Sequence, residues 1–521
     1  MSNLNTSTLL SIEHTFAFSK YAALILFSYF AVVIGYRTFL HPLRNYPGPL
    51  VAKVSDAYAG GHAIAMQLHL RTFLDLKKYG PVIRHGPNKL VFNSAEALHD
   101  IYSNERVTKS HVYELTITSG NPSIFNALDR RVHRDKRRLI GQAITDKAMR
   151  SFEPTMLEQI NIFLDQLSLA AQESAPVNVT DMMKRLGADI VGHLAFGYAL
   201  NLQTDPTYRF MLRGLAAGSY QNNSYMQFPL LKKLGLHQLL VIAGHSQRKK
   251  YRKMLQKIII SRLSQEKHAK SDLYSFVADH LDVPANGLTT SELWSEAIFF
   301  FPAGGDTVTT VMSALFFYLS RNRGVYDKLA TEIRQTFASD AEIRGGAKLS
   351  SCRYLRACID EALRISPPVT GTLWRELYPD EQGKPFIVDG HVIPSGTQVG
   401  VNIYALHHNE KCFSDPFTFY PERWLVEDQS ALKRMHSAFD AFLLGPRGCA
   451  GKPMAYLEAS LVIAKAIWNF DFETAPGKEG ELGSGIPGGK EGRDRVDEFQ
   501  LYDTFGSRHD GPNLIFRARN R

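Results

Sequence analysis

Residues 21–36, YAALILFSYFAVVIGY, form an apolar run of sixteen residues without a single charge. Crossing a hydrocarbon core takes roughly 17 to 25 residues. The preceding FAFS extends the run past Lys20, whose long side chain can reach back to an interface. The pattern predicts an anchor helix over about 16–36, with Tyr21 and Tyr36 at positions suited to an interfacial belt. A cleaved secretory leader fits less well, because Glu13 stands where a basic flank belongs and no small-residue cleavage site follows. Arg37 and Arg44, just beyond the run, predict a body on the cytosolic side.

The segment HPLRNYPGP carries prolines at 42, 47 and 49, which stop a helix and predict a stiff elbow over 37–50. From Val51 to Asn93 the pattern reads as short β-like runs broken by Gly and Pro, with GPVIRHGPNKLVF the clearest. From Asp135 to Arg334 the apolar positions recur with a helical period, in MLEQINIFLDQLSLAAQ, in YRKMLQKIIISRLSQEKHA and in SELWSEAIFFFPAGGDTVTTVMSALFFYLSRN. Beyond Pro367 the alternation of strands and turns returns in PFIVDGHVIPSGTQVGVNIYAL. A last helix, MAYLEASLVIAKAIWNF, leads into the charged, glycine-rich GKEGELGSGIPGGKEGRDR. No repeat and no linker divides residues 51–521. The prediction is a mainly α fold with a smaller β part. It consists of a terminal segment (1–36), an elbow (37–50) and one large domain (51–521).

Charge narrows the partners. The net charge is +9 and the pI about 9.1, but Lys and Arg are dispersed and no basic run interleaved with aromatics occurs. That argues against nucleic acid and suits an anionic membrane surface or an acidic protein. The four cysteines are Cys352, Cys358, Cys412 and Cys449. They form no CxxC pair and are too few for a disulfide framework, so a structural zinc site is not expected and a reducing compartment is.

One cysteine sits in the tightest turn of the chain, FLLGPRGCAGKPM (442–454), just before the last helix. A helix start offers free N–H groups and partial positive charge, which favour a thiolate at Cys449. Gly445, Gly448 and Gly451 let the backbone turn sharply and let a flat group approach. Arg447 is placed to reach a carboxylate on that group. Together these features describe a loop that presents a sulfur ligand to haem. A phosphate loop is excluded, because Pro446 and Pro453 stand where its glycine and magnesium-binding hydroxyl belong. A nucleophilic cysteine or an inert one in a turn also fits the turn taken alone.

Further motifs along the chain resolve this choice. The turn resembles the haem-binding signature of the cytochrome P-450 family, Phe-x-x-Gly-x-Arg-x-Cys-x-Gly, through Phe442, Gly445, Arg447, Cys449 and Gly451. The glycine common after that phenylalanine is Leu443 here. Glu361 and Arg364 match the family's ExxR, and FYPERW supplies Arg423, which the resemblance places in a buried structural network with that pair. AGGDTV (303–308) matches the oxygen-binding signature of the central helix, with Val308 in place of a second hydroxyl. By resemblance Asp306 and Thr307 are the acid–alcohol pair that relays protons. His133 and Arg137 of VHRDKRRLI, and Arg375 of SPPVTGTLWREL, are the expected partners of the haem propionates.

The resemblance implies a haem-thiolate monooxygenase carrying haem b, with Cys449 as axial ligand of the iron. It acts on an apolar small molecule and lies in the endoplasmic reticulum membrane. Electrons are expected from NADPH through a separate reductase, since this chain shows no flavin or nicotinamide fingerprint. By resemblance the substrate pocket is built from 121–128, 205–245, 299–304 and 369–373. The tail DGPNLIFRAR and the elbow resemble those of members from filamentous fungi, which implies specialised-metabolite formation. Oxidative phenol coupling, an isomerase or dehydratase that consumes no dioxygen, and a non-enzymatic membrane haem binder remain the competing readings.

Overall fold

The apolar run near the start of the chain is one unbroken helix, α1 (Thr6–Gly35). This computed structural model describes residues 6–118, 120–142, 144–236, 245–267, 269–270, 272–277, 289–381 and 383–519. The stretch Thr15–Leu40, of mean hydropathy 1.8, is long and apolar enough to cross a membrane, and its most apolar window is not buried against the protein. A π-helical turn, Tyr36–Leu40, continues it as far as His41, whose extended backbone (φ −63°, ψ 143°) is what the following Pro42 demands. Arg37 donates to the Val54 carbonyl (2.5 Å), and the buried Arg84 donates to the Arg37 carbonyl (2.8 Å). The elbow is thereby tied to the first strands.

Residues 50–79 correct the β-like expectation: they form three helices, α2 (Leu50–Val54), α3 (Ala57–Ile64) and α4 (Leu68–Tyr79). The buried stripe of α4 runs through Leu68, Thr72 and Leu76, but its core side also takes His69 and Asp75, so polar residues hide the helical period. Strands begin where GPVIRHGPNKLVF placed them, as the antiparallel pair β1 (Val82–Gly86) and β2 (Lys89–Phe92). The main sheet adds β3 (Val107–Lys109), β5 (Arg375–Leu377) and β8 (Gln398–Val401) in the order β1-β2-β8-β5-β3. Only β2 and β8 run parallel, and the register of β3 on β5 sets Lys109 opposite Arg375. A second sheet joins β4 (Val177–Asn178), β12 (Asn513–Ala518) and β9 (Phe470–Thr474). Two hairpins complete the β part. One is β6 (Phe386–Val388) with β7 (His391–Ile393), and the other β10 (Tyr502–Thr504) with β11 (Gly506–Arg508).

Helices hold the rest. The long apolar segment becomes α11 (Thr290–Gly305) and α12 (Thr307–Arg321), and every residue of α12 from Val308 to Leu319 is buried. Around this axis pack α8 (Val179–Phe196), α9 (Phe210–Gln227), α10 (His245–Leu263), α13 (Arg353–Ile365) and α14 (Lys452–Asn469). On one flank lies α6 (Arg130–Gln142), followed by α7 (Asp146–Glu173). The short α5 (Ala95–Tyr102) backs the main sheet. The mainly α fold with a smaller β part is as read from the sequence.

Candidate functional site

A cavity of about 380 Å³ opens between the central helix and the loop that precedes α14. Cys449 forms part of its wall, with the side chain accessible from inside. The loop is closed by its own backbone, for the Cys449 N–H donates to the Phe442 carbonyl (2.7 Å). Gly445 takes a left-handed φ of +67°, and a Cβ there would lie 2.2 Å from the Tyr102 carbonyl, so only glycine fits. Leu443 also adopts a left-handed backbone (φ 59°), which explains why glycine is common at that position and leaves this chain with local strain. One expectation needs correction. Burial pushes the Cys449 thiol up, while the N–H groups of Gly451 and Lys452 and the Arg137 guanidinium pull it down without reversing the shift. Desolvation outweighs the helix start.

Basic side chains converge on one end of the cavity. His133 and Arg137 from α6, Arg375 from β5, Arg447 from the cysteine loop and Lys109 from β3 all line it. Among the described residues no carboxylate forms an ion pair with Lys109, Arg137, Arg375 or Arg447. Burial, with Arg447, Lys109, Arg137 and Arg375 close by, pushes His133 down to about 3. Burial and neighbouring Arg375 hold the Lys109 ammonium well below its ordinary value. The roles of the arginines differ. Arg137 donates to the Gly448 carbonyl (2.6 Å) and grips the cysteine loop. Arg447 spends its donors on Ala127 O (2.6 Å), Leu128 O (2.8 Å) and the Tyr378 hydroxyl (2.8 Å). Arg375 donates to the nearby Leu373 (3.4 Å) and Trp374 (3.1 Å) carbonyls. Lys109 was not legible in the sequence, although a lysine inside a short β run with buried neighbours is a usable signal.

The central helix breaks beside this cavity. Pro302 lies within α11, and Asp306 (φ −103°, ψ −38°) separates it from α12. A Cβ on Gly304 would meet the Val191 side chain at 2.7 Å, so this glycine compensates its cost by letting α8 approach. Asp306 and Thr307 both line the cavity. The Thr307 hydroxyl donates to Ala303 O (2.7 Å), occupying the carbonyl that the broken helix leaves free. Burial raises the Asp306 carboxyl to about 6, against a smaller opposing pull from Lys184.

Of the three adjacent phenylalanines, Phe299 and Phe300 face the cavity, whereas Phe301 packs into the core against Phe196. Phe125 stacks on Phe299 (5.0 Å) and meets Phe505 edge-on (5.0 Å). The sequence reading missed Phe505, which lies in the β10–β11 turn. From the 205–245 segment Ser219 and Asn222 reach the cavity, and residues 237–244 lie outside the described residues. Val369 and Leu373 line it as well.

Glu361, Arg364 and Arg423 are buried together on the cysteine-loop side of the core. Arg364 binds Glu361 through two bonds of 2.9 Å, and Arg423 Nε donates to the same carboxylate at 3.0 Å. Arg364 also donates to the carbonyls of His407 and Pro416 (both 2.8 Å), so the network pins the segment that leads to Cys449.

The cytochrome P450 family profile matches residues 61–483. Similar proteins include cytochrome P450 monooxygenase poxM of Penicillium oxalicum, 36% identical over 86% of this chain and 87% of that protein. Cytochrome P450 monooxygenase AKT7 of Alternaria alternata is 32% identical over 95% of this chain and 96% of its own. Apf7 of Gibberella fujikuroi is 31% identical, with 95% and 97% covered. The chain belongs to the cytochrome P450 family, whose members are oxygen-using haem oxidoreductases.

Proposed function

We propose that the protein is a haem-thiolate monooxygenase oxidising an apolar small molecule, with Cys449 as the axial ligand of haem b. The observation that carries this reading is the group of Lys109, His133, Arg137, Arg375 and Arg447 at one end of the cavity, with Cys449 in its wall. Buried Arg375 and half-buried Arg137 and Arg447 are guanidiniums without a carboxylate partner among the described residues, which is costly, and a flat ligand bearing two carboxylates removes that cost. Arg375 and Lys109, set opposite each other, and His133 are the groups we assign to the propionates. Arg137 and Arg447 shape the walls through the carbonyls they grip.

Bound haem supplies an iron that activates dioxygen. The residues do the rest. Phe442 fixes the Cys449 backbone. The Asp306 carboxyl, raised by burial to about 6, takes up and releases a proton just below neutral pH, next in the chain to the Thr307 hydroxyl, and this pair passes protons inward. Phe125, Phe299, Phe300, Val369, Leu373 and Phe505 exclude water and receive an apolar substrate. Glu361, Arg364 and Arg423 act structurally.

In this reading NADPH-derived electrons arrive through a separate reductase, for which the exposed Arg131 and Arg138 of α6 offer a basic docking face. Residues 1–36 anchor the protein in the endoplasmic reticulum membrane, 37–50 form the elbow, and 51–521 are the cytosolic catalytic domain. We place the reaction in fungal specialised-metabolite formation. The test is the carbon monoxide difference spectrum of the reduced protein, compared with Cys449→Ala. The wild type is expected to show the thiolate-ligated band and the variant to lose it. A variant with an unchanged Soret band would sink the assignment. Label from dioxygen in the product then separates oxygen insertion from phenol coupling.

A further inference from the structure

One wall of the cavity is held from behind by a buried ion pair that the proposed reaction leaves unused. Lys136 of α6 and Glu296 of α11 are 3% and 1% exposed, and neither reaches the cavity. Lys136 Nζ lies 3.1 Å from Glu296 Oε1 and 3.2 Å from Glu292 Oε1, one helical turn earlier. The two carboxylates have different second tasks. Glu292 accepts from the Thr289 N–H (3.0 Å) and hydroxyl (3.1 Å), and so caps α11. Glu296 accepts the Ile124 N–H on both oxygens, at 3.0 and 3.1 Å.

Ile124 belongs to a single turn, in which the Asn126 and Ala127 N–H groups donate to the Ser123 carbonyl (3.1 and 2.9 Å). Charged side chains hold this turn in place. Besides Glu296 on the Ile124 N–H, Lys109 of β3 donates to the carbonyls of Ile124 (3.2 Å) and Phe125. Without Glu296 the buried Ile124 N–H and the Lys136 ammonium each lose a partner, which is costly. The turn carries Phe125, whose ring stacks on Phe299 of the same α11, one turn beyond Glu296. That helix thus grips the turn twice, by a carboxylate on the backbone of Ile124 and by a ring on the side chain of Phe125.

We propose that the Lys136–Glu296 pair sets how bulky a substrate the cavity admits, by holding Phe125 against Phe299. The inference deepens the haem-monooxygenase reading and rests on it. Glu296 is a positioning residue, since it acts through Phe125 and does not itself line the cavity. While the pair is intact, Phe125, Phe299 and Phe505 form one fixed aromatic wall. Once it is broken, the turn loses its backbone hold on α11 and the wall yields to a wider group.

In the experiment, ferric full-length holoprotein is titrated with imidazole and with N-tritylimidazole, each followed by the Soret shift on nitrogen ligation. In Glu296→Gln the affinity for imidazole is expected to stay within about twofold of wild type, and that for N-tritylimidazole to rise by about threefold or more. Lys136→Met breaks the same contact from the other helix and should shift the ratio in the same direction. Phe125→Ala should also raise the affinity for N-tritylimidazole. Adding Glu296→Gln to it should change nothing further, because the pair acts through that ring. Amide hydrogen exchange gives a readout free of ligand, with residues 121–128 exchanging faster in Glu296→Gln than in wild type. Unchanged ratios, effects that add in the double variant, or equal exchange would overturn the inference while a normal Soret band leaves the haem reading standing. Loss of haem from both Glu296→Gln and Lys136→Met means that the pair only builds the fold, which overturns the inference as well. A wild type with no Soret band overturns the inference and the haem reading together.

Discussion

Glu361 accepts five hydrogen bonds, two from Arg364 and one each from Arg423, Trp424 and the Tyr420 N–H. Burial works to raise its pKa, yet Arg364, Arg423 and these donors together hold it below the ordinary carboxylate value. Removing the charge strands two buried guanidiniums. Glu361→Gln is therefore expected to lose about 3–5 kcal/mol in urea unfolding at neutral pH. The pH dependence follows from the lowered value. The stabilisation is complete above the unfolded pKa of about 4.3 and disappears as pH falls through the lower folded one. The gap between wild type and variant should narrow in that acid window, and a gap that stays constant would contradict the assignment.

Two elements carry charges whose cost reveals their purpose. At the break between α11 and α12, the Asp306 carboxyl is raised from 3.8 to about 6, mainly by burial. A raised acid favours the folded state least when ionised, so stability falls as pH rises through about 6. Asp306→Asn should gain about 2 kcal/mol at pH 8, a shift of about two units discounted for the carboxyl's opening onto the cavity, and nothing below pH 4. Turnover should drop by about 10²-fold or more while the bound-haem spectrum stays unchanged. On the sheet, Lys109 and Arg375 are like charges in register on adjacent strands. Such a pair destabilises unless an anion joins it. Lys109→Met should thus stabilise the protein before haem is added and destabilise it afterwards, by about 1 kcal/mol each way, read as opposite shifts in Tm. Shifts of the same sign would remove Lys109 from the propionate site.

At the scale of the molecule, the central helix α12 is enclosed by its neighbours while α1 stands outside the core. The most apolar window of α1 contributes no burial, and Arg37, just beyond it, is bonded to the body through Val54 and Arg84. Deleting residues 2–36 should release the protein from the membrane fraction and leave its Soret band and urea midpoint unchanged. A large fall in midpoint would mean that the anchor is part of the fold.

What the sequence determined by itself was whatever depends on neighbours along the chain. The Cys449 turn, the uncharged run of α1, the Glu361–Arg364 spacing on one helix and the GPVIRHGPNKLVF hairpin are all local. Of the three helices between residues 50 and 79, α2 and α3 are too short to show a helical period, and in α4 polar His69, Thr72 and Asp75 occupy the core side and blur it. Tertiary structure alone set Lys109 against Arg375 and brought Phe125 onto Phe299 and Phe505. Most of these contacts join residues far apart in the chain. Their energies depend on burial and on which charges share a dry space, and a residue's spacing along the chain carries neither.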